Sequence, residues 1–318
     1  FKTLVDPNAP NTTQVYATDN LNTVITAAPA GQILVLYPGD YTVYSGSIVI
    51  GKSLSIIGYH PYDKPKLHVQ FSLTTGLSAN VVIRDVDMSG NGALNDAFRY
   101  NTASVEFGSL NIVDCNIHDF TRSFVAGNVA SKVASVSVDN CVLTDIVTSG
   151  GDFIDFRTTY LASLSITNST FDNCAPARDF IRMDAAATYT GTGLTSNVVI
   201  DRCTIYGVAN NSTVATRRLL YVRFNANVLE VKNTIIAGSS GFHANQTSTS
   251  QPTFLKNNYF NAPRYYDTTV EAITNLKHDN SGTHTILDPG FTDAAGGNFK
   301  VTNQSLIDNG IGDPRWLQ

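Results

Sequence analysis

The sequence is poor in charge and in lysine, and these shortages exclude several classes of protein. Only 15% of its 318 residues are charged, and the formal net charge is −5. The chain has no cluster of basic residues, so a nucleic acid is not an expected partner. No apolar run approaches the roughly 18 residues that cross a bilayer as a helix, so no transmembrane segment is expected.

Cysteine is also scarce, and its spacing lacks the patterns of metal and redox sites. No two of the four cysteines form a CxxC pair; they are Cys115, Cys141, Cys174 and Cys203. The sequence therefore gives no support for a zinc site or for thiol redox chemistry. Asn, Thr, Ser and Gly are abundant instead, a composition common in secreted β-rich proteins, and we expect an extracellular or cell-surface location.

An internal repeat is the strongest pattern in the chain. Six segments align, with a looser earlier copy at VIRDVDM (82–88): NIVDCNI (111–117), SVDNCVL (137–143), SITNSTF (165–171), VIDRCTI (199–205), EVKNTII (230–236) and FLKNNYF (254–260). Each copy has an aliphatic residue followed two places later by Asp, Asn or Arg. These aliphatic residues are Ile83, Ile112, Val138, Ile166, Ile200, Val231 and Leu255.

The repeat predicts an all-β fold, a single-stranded right-handed parallel β-helix. Successive copies lie 24 to 34 residues apart, too irregular for helical repeats, and they are rich in Val, Ile and Thr in alternation. Short strands that recur once per coil, with loops of variable length between them, fit stacked coils. We expect one domain, with an N-terminal cap over 1–32, coils over 33–260 and an irregular C-terminal segment over 261–318.

Stacked coils place equivalent side chains in ladders about 4.8 Å apart. The alignment predicts an asparagine ladder at one corner, formed by Asn140, Asn168, Asn233 and Asn257. It also predicts a stack of small side chains in the core, formed by Cys115, Cys141, Ser169 and Cys203. Parallel in-register side chains seldom meet the dihedral angles of a disulfide, so we expect these thiols to be reduced and buried.

A charged strip is predicted beside the stretch ARDFIRMDA (177–185). Alternation along the aligned segments sends one set of residues outward: Arg99, Val125, Asp155, Arg182, Tyr221 and His243. The next outward set is Asn101, Gly127, Arg157, Asp184, Arg223 and Asn245. The inward set is Phe98, Phe124, Ile154, Ile181, Leu220 and Phe242. Three apolar residues that precede the strip are also expected to point outward: Phe153, Phe180 and Leu219.

Two interpretations of this strip remain open. Asp155 beside Arg182, and Asp184 between Arg157 and Arg223, are cross-strand pairs of opposite sign that can serve stability alone. Exposed rings and guanidinium groups are also what a sugar polymer needs, for stacking and for binding carboxylate or sulfate. On this second interpretation the strip binds an acidic polysaccharide. Its substrate-binding residues would be Arg99, Phe153, Asp155, Phe180, Asp184, Tyr221, Arg223 and His243.

Both ends of the chain resemble a known superfamily. The stretch TDNLNTVITAAPAGQILVLYPGDYTV resembles the N-terminal cap of the pectin-lyase superfamily, in which a helix covers the open end of the β-helix. The stretch LDPGFTDAAGGNFKVTNQSLIDNGIGDPRW resembles the terminal segment of Bacteroidetes pectin-lyase-like proteins with domains of unknown function. The resemblance implies a β-helix with an N-terminal capping helix, and a fold alone does not specify an activity.

The stretches GDFIDFRT and DFIRMD also show local similarity to the chondroitinase B and alginate lyase family, which acts on uronic acids by β-elimination. This similarity implies that Arg157 stands where the family has its basic catalytic residue and Arg182 where it has an assisting arginine. It implies that Asp152 is a calcium ligand. Two departures weaken it: the family's lysine is an arginine here, and its second acidic ligand falls on Gly150.

The sequence thus predicts an extracellular polysaccharide lyase, with calcium as an open question for the cofactor. The alternative is a non-catalytic polysaccharide-binding protein of a glycan-utilisation system, which the missing calcium ligand favours. A purely structural fibre is a third class, which predicts trimers and no sugar-binding strip. We expect a monomer.

Overall fold

A computed structural model describes residues 4–74, 79–147, 150–184, 186–189 and 191–318. Over these residues the chain is a parallel β-solenoid, and the predicted parallel β-helix is confirmed. Each coil adds one strand to as many as three faces, and every strand pairs in parallel with its equivalent in the neighbouring coil. The alternation of apolar and polar residues places one side of each strand in the core.

The strands are numbered β1 to β24 in chain order. The first face holds β1 (Thr12–Val15), β2 (Gln32–Leu36), β4 (Leu54–Gly58), β6 (Val81–Arg84), β9 (Glu106–Val113), β12 (Lys132–Asp139), β15 (Tyr160–Thr167), β18 (Ser196–Asp201), β21 (Asn227–Lys232) and β23 (Thr253–Leu255). The second face holds β7 (Asp87–Ser89), β10 (Asn116–His118), β13 (Val142–Thr144), β16 (Thr170–Asp172), β19 (Thr204–Tyr206), β22 (Ile235–Ala237) and β24 (Asn258–Phe260).

The third face holds β8 (Asp96–Tyr100), β11 (Ser123–Gly127), β14 (Ile154–Phe156), β17 (Ile181–Met183) and β20 (Leu220–Val222). The long strands β3 (Asp40–Ile50) and β5 (Lys66–Leu73) pair with each other, and β5 joins the second and third faces. The helices are short: α1 (Leu21–Ala27), α2 (Ala186–Tyr189) and α3 (Gln304–Asn309), with 3-10 turns at Val214–Thr216, Pro263–Tyr265, Ala294–Gly296 and Pro314–Trp316.

The corner between the first and second faces explains the Asp and Asn of the repeat. Asn140, Asn168 and Asn233 have φ of 53°, 49° and 46° there, a left-handed conformation that Asn and Asp tolerate better than most residues. The side-chain amide of Asn168 donates to Asp139 (2.7 Å), which ties successive coils together. Each repeat segment therefore contains the end of one strand, a corner and the start of the next strand, rather than a single strand.

The core stack of small side chains is confirmed. Cys115, Cys141 and Cys203 are buried free thiols, and Cys174 is as well. The side chains of the stack also hydrogen-bond to the backbone of the preceding coil. Oγ of Ser169 accepts from the N–H of Cys141 (3.0 Å), and Sγ of Cys141 accepts from the N–H of Cys115 (3.4 Å). Burial raises the pKa of the Cys203 thiol, which keeps it in the neutral form.

The last copy of the repeat is shifted by one residue from the predicted alignment. Val231 pairs with Phe254, not with Leu255. Lys256 (φ 50°) consequently occupies the corner, and Asn257 is buried in the core stack, where it accepts from the N–H of Thr234 (3.2 Å). The prediction that Asn257 belongs to the corner ladder is wrong, because a one-residue slip moves every side chain to the opposite side.

Both ends of the chain pack against the coils. Helix α1 begins after Asn20, whose side chain accepts from the N–H of Thr23 (3.1 Å), and it buries Leu21 and Ile25. Its role as a cap stays a prediction, and residues 1–3 of the predicted cap lie outside the described residues. Near the other end, Nε1 of Trp316 donates to Oγ1 of Thr170 (2.7 Å) on β16. The C-terminal segment thus runs back over the outside of the second face.

The described residues contain no helix that combines the length and the apolar character needed to span a membrane.

Candidate functional site

The outward side of the third face brings most of the predicted site residues together. Asp155 lies opposite Arg182, and Arg182 lies opposite Tyr221, as the alignment predicts. We use the name charged face for the following outward residues of this face: Arg99, Asp155, Arg157, Arg182, Asp184, Tyr221 and Arg223. Strands β8 to β20 span five coils, so the charged face is roughly 20 Å long at about 4.8 Å per coil.

Asp152 lies at the centre of the charged face and is fully buried. Its carboxylate accepts from Nε of Arg178 (3.2 Å) and from Arg182 (3.3 Å), and a nitrogen of Arg157 lies 3.7 Å away. Three arginines from two successive coils therefore converge on one aspartate. Asp155, also fully buried, binds Nε of Arg157 through both carboxylate oxygens (2.9 and 3.0 Å).

Asp179 and Arg218 form a second buried ion pair, next to Tyr221 of the charged face. The carboxylate of Asp179 accepts from Nε (2.9 Å) and a terminal nitrogen (2.8 Å) of Arg218, and from its backbone N–H (3.0 Å). Burial raises the pKa of Asp179, and the arginine offsets part of that rise. The guanidinium carbon of Arg218 lies 3.7 Å from the ring centroid of Tyr221, a cation–π contact that holds this tyrosine in place.

Asp184 links two arginines of successive coils. It accepts from Arg182 (2.8 Å) and from Nε of Arg223. Burial would raise the pKa of Asp184, but the two arginines outweigh it and hold the pKa below its ordinary value. Burial would likewise lower the pKa of Arg182, but Asp184 and Asp152 outweigh it and the pKa is raised.

These contacts disfavour the proton-accepting role that the lyase resemblance implies. β-Elimination needs a group that takes a proton from the sugar. An arginine holds its proton unless it is strongly perturbed, and the shift at Arg182 is in the direction that strengthens this hold. Arg157 donates its Nε–H to Asp155, so this guanidinium is already engaged in a charge-assisted contact with a carboxylate.

Asp152 does not fit the role of a calcium ligand. Its oxygens already accept from two arginines and from the N–H of Asp179 (3.3 Å), so a cation would meet positive charge. Among the residues that the structure describes, no group of three or more His, Cys, Asp or Glu side chains is arranged to hold a metal.

The predicted outward orientation of Phe153, Phe180 and Leu219 is wrong. All three are fully buried, and the rings of Phe153 and Phe180 stack in the core with centroids 4.7 Å apart. The third-face strands β14, β17 and β20 are only three residues long and begin one residue later. The apolar residues therefore lie at the corner, where strict alternation does not apply and the side chain turns inward.

His243 is also misplaced by the sequence alignment. It is buried among Phe254 and Tyr265, and its Nε2 lies 3.0 Å from the hydroxyl of Tyr259. Burial lowers its pKa to about 3, so this imidazole is neutral near pH 7. The cause is a two-residue register error in the last coil: Phe242 pairs with Arg218 rather than with Leu220, so His243 lies opposite Leu219, at the corner position whose side chain turns inward.

A smaller register error affects β11. Val125, not Phe124, pairs with both Phe98 and Ile154. Ala126 rather than Val125 therefore lies opposite Asp155, between it and Arg99. The charged face is interrupted there by one small residue.

Sequence reasoning missed two features of this region. Arg218 was not assigned a role, although the pair Arg217–Arg218 directly precedes the strand that carries Tyr221. The second feature is Asp96, whose carboxylate lies near two arginines, Arg99 and Arg122. Nε of Arg122 is 4.0 Å from Asp96, and Arg99 makes a closer contact, so the charged region continues to the coil of β8. Charged residues just before β11, β14, β17 and β20 are the signal that could have identified Arg122 and Arg218.

A separate polar cluster lies on the second face, and sequence reasoning missed it as well. Nδ1 of His118 lies 2.6 Å from Asp119 and its Nε2 lies 2.9 Å from Asp87. The hydrogen bond with Asp87 is the largest of the effects that raise the pKa of His118 to about 9. The polar groups of this cluster hydrogen-bond to one another, since Asn116 also donates to Asp87 (3.2 Å).

Comparison with known families divides the chain in two. Residues 39–174 match a family model described as a domain of unknown function (DUF4957), and residues 198–316 match another described as a domain of unknown function (DUF5123). No curated protein gave a significant match to the chain. The charged face draws on both matched regions and on the stretch between them, which contains Arg182 and Asp184.

Proposed function

We propose that the protein binds an extended acidic polysaccharide along the charged face without cleaving it. The observation that carries the proposal is a set of arginines held in place by buried aspartates on the third face of the solenoid. Seven arginines against five aspartates leave a formal charge of +2 there, in a chain whose net charge is −5. The opposite sign of this region favours an anionic partner.

The arrangement of the charges also supports binding. The aspartates lie underneath, whereas six of the seven arginine side chains remain partly exposed, from 19% at Arg182 to 46% at Arg223, and only Arg218 is buried. A guanidinium has five N–H donors, and its contacts with aspartate use only some of them. The remaining donors are pre-oriented, so binding a carboxylate or sulfate costs little side-chain entropy.

Stability alone is a weak explanation for these charges. Burying an ion pair removes two groups from water, and apolar residues of similar size often stabilise a fold as well or better. Exposed pairs contribute only about 0–1 kcal/mol. A charged face over five coils therefore favours a role in recognition.

Lyase activity is the second candidate, supported by one observation. Arg157 and Arg182 stand on successive coils and their guanidinium groups converge on Asp152 (3.7 and 3.3 Å). Two converging cations could neutralise a uronate carboxylate, which is one of the two requirements of β-elimination. The other requirement, a proton acceptor, is what the contacts above disfavour.

The test uses pectate, alginate and glycosaminoglycans, each with and without calcium. Retardation in affinity gels measures binding, and absorbance from a new C4–C5 double bond measures cleavage. We expect retardation by at least one acidic polymer, none by neutral dextran, and no absorbance. Arg182→Gln should abolish the retardation.

The matched control is Arg84→Gln. Arg84 is a partly exposed arginine beside a buried aspartate, Asp85 (3.4 Å), but it lies on the first face. It should keep full binding. Absorbance that disappears in Arg157→Gln would replace binding with lyase activity. Failure of every acidic glycan to retard the protein would overturn both functions and leave stability as the role of the ion pairs.

A further inference from the structure

We infer that a pocket beside the charged face receives the apolar side of a sugar ring of the bound polymer. This inference rests on the proposed function and assigns the site a preference for sugar polymers over other polyanions. The pocket has a volume of about 320 Å³ and is lined by Tyr189, Leu194, Phe224, Asn225 and Ala226, with two glycines at its rim. Known ligand pockets begin at about 300 Å³, so the space suits one ring rather than a long segment.

The pocket adjoins the charged face through three successive coils. Each of these coils leaves the face at a charged residue and reaches an aromatic residue soon afterwards: Arg157 and Tyr160, Asp184 and Tyr189, and Arg223 and Phe224. The ion pair between Asp184 and Arg223 joins the two chain segments that then form the pocket walls. A polymer that lies on the arginines therefore meets the pocket at the edge of the same face.

The aromatic side chains of the pocket are fixed. The hydroxyl of Tyr160 donates to the carbonyl of Thr195 (2.7 Å), and that of Tyr189 donates to the carbonyl of Ser131 (2.9 Å). The ring of Tyr160 lies 5.4 Å from Phe224 and 5.6 Å from Tyr189, centroid to centroid. Tyr160 and Phe224 are themselves buried and support Tyr189, whose partly exposed ring offers apolar surface at little cost in conformational entropy.

The mixture of apolar and charged groups identifies the class of occupant. Gly191 and Gly193 leave the rim open, because a Cβ at either position would contact nothing within 4 Å. Arg223, the residue before the pocket residue Phe224, keeps 46% of its side chain exposed. A pyranose that carries an acidic group combines an apolar C–H side with a negative charge, which matches rings beside an arginine. A simple polyanion has nothing to place in such a pocket.

The experiment fills the pocket without removing any of its walls. Ala226 is exposed at the pocket and Val228, two residues further along the chain, is exposed on the same side of β21. We compare wild type, Ala226→Trp and the control Val228→Trp. The probes are the acidic polysaccharide that retards the wild type most strongly, and polyglutamate as a polyanion without sugar rings.

We expect Ala226→Trp to weaken polysaccharide binding about tenfold, the factor that corresponds to roughly 60 Å² of apolar contact. Polyglutamate binding should be unchanged in Ala226→Trp, and Val228→Trp should match the wild type with both probes. Equal polysaccharide affinity of Ala226→Trp and wild type would overturn the pocket but not the proposed function. Equal weakening of both probes by Ala226→Trp would also overturn it, since the effect would then be general. Absence of polysaccharide binding by the wild type would overturn the proposed function, and the pocket with it.

Discussion

The outward sides of the second and third faces differ in what their polar groups bind. On the second face, Thr170 and Thr204 bond to Asp313 and Thr170 also to Trp316, so the chain itself occupies these groups. On the third face the aspartates are occupied by arginines whose side chains remain partly exposed. One face serves packing of the C-terminal segment, and the other presents donors at the surface. The predictions below test that difference.

The largest effect is expected where a buried ion pair is broken. Asp179→Asn should lower the free energy of unfolding by about 3–5 kcal/mol, because Arg218 would stay buried without its countercharge. Chemical denaturation measures this change. The double variant Asp179→Leu/Arg218→Met should recover most of the loss, since apolar residues can replace a buried pair. A double variant as unstable as Asp179→Asn would contradict this account of the pair.

A smaller loss of stability is expected on the second face, with no loss of binding. Trp316→Ala should lower the free energy of unfolding by about 2–3 kcal/mol, because it removes packing on Phe299 and the hydrogen bond to Thr170. Polysaccharide retardation should be unchanged. Loss of retardation in a folded Trp316→Ala protein would remove the functional distinction between the two faces.

Acid should destabilise the protein through His243. Its pKa is lowered to about 3 in the folded state, against about 6.5 when unfolded, so the unfolded state binds the proton first. Stability should therefore fall as the pH drops below 6.5, by about 2 kcal/mol between pH 7 and pH 5. His243→Phe should remove this part of the pH dependence in thermal denaturation curves. An unchanged pH dependence in that variant would assign the effect to other groups.

The smallest effect is expected at His118, and it has the opposite sign. Its pKa is raised to about 9, so its contribution is complete below pH 6.5 and is lost as the pH rises through 9. His118→Asn should cost about 1 kcal/mol at pH 6 and less at pH 9.5, because the side chain is partly exposed. Equal costs at both pH values would show that the hydrogen bonds matter and the charge does not.

The repeat predicts the fold well because its pattern is local. Ile112, Val138 and Ile166 do pair across successive coils, and the Asp and Asn two residues later do form the corner. The errors begin where the pattern weakens, at β11 and in the last coil. There the predicted alignment differs from the observed register by one or two residues, and Phe124, His243 and Asn257 were therefore assigned to the wrong positions. In β11 (SFVAG) and in the three-residue β23, the alternation of apolar and polar residues is too short or too weak to fix the register.

The site was predictable in its charges and not in its aromatic residues. Asp155, Arg182 and Tyr221 follow from alternation within a strand. Phe153 and Phe180 precede their strands, so alternation misassigned them. Tyr189, the partly exposed ring of the pocket, lies in an insertion that no repeat describes. Ion pairs across coils also depend on side-chain reach, which is why Arg218 was missed.

The central claim is that the charged face binds an acidic sugar polymer, and calorimetric titration of one purified acidic oligosaccharide tests it most directly. The wild type and Arg84→Gln should bind with the same Kd, and Arg182→Gln should bind at least about tenfold more weakly, the loss expected for one charge-assisted contact. Affinity should also decrease as salt is added. Equal affinities for Arg182→Gln and Arg84→Gln would contradict the claim.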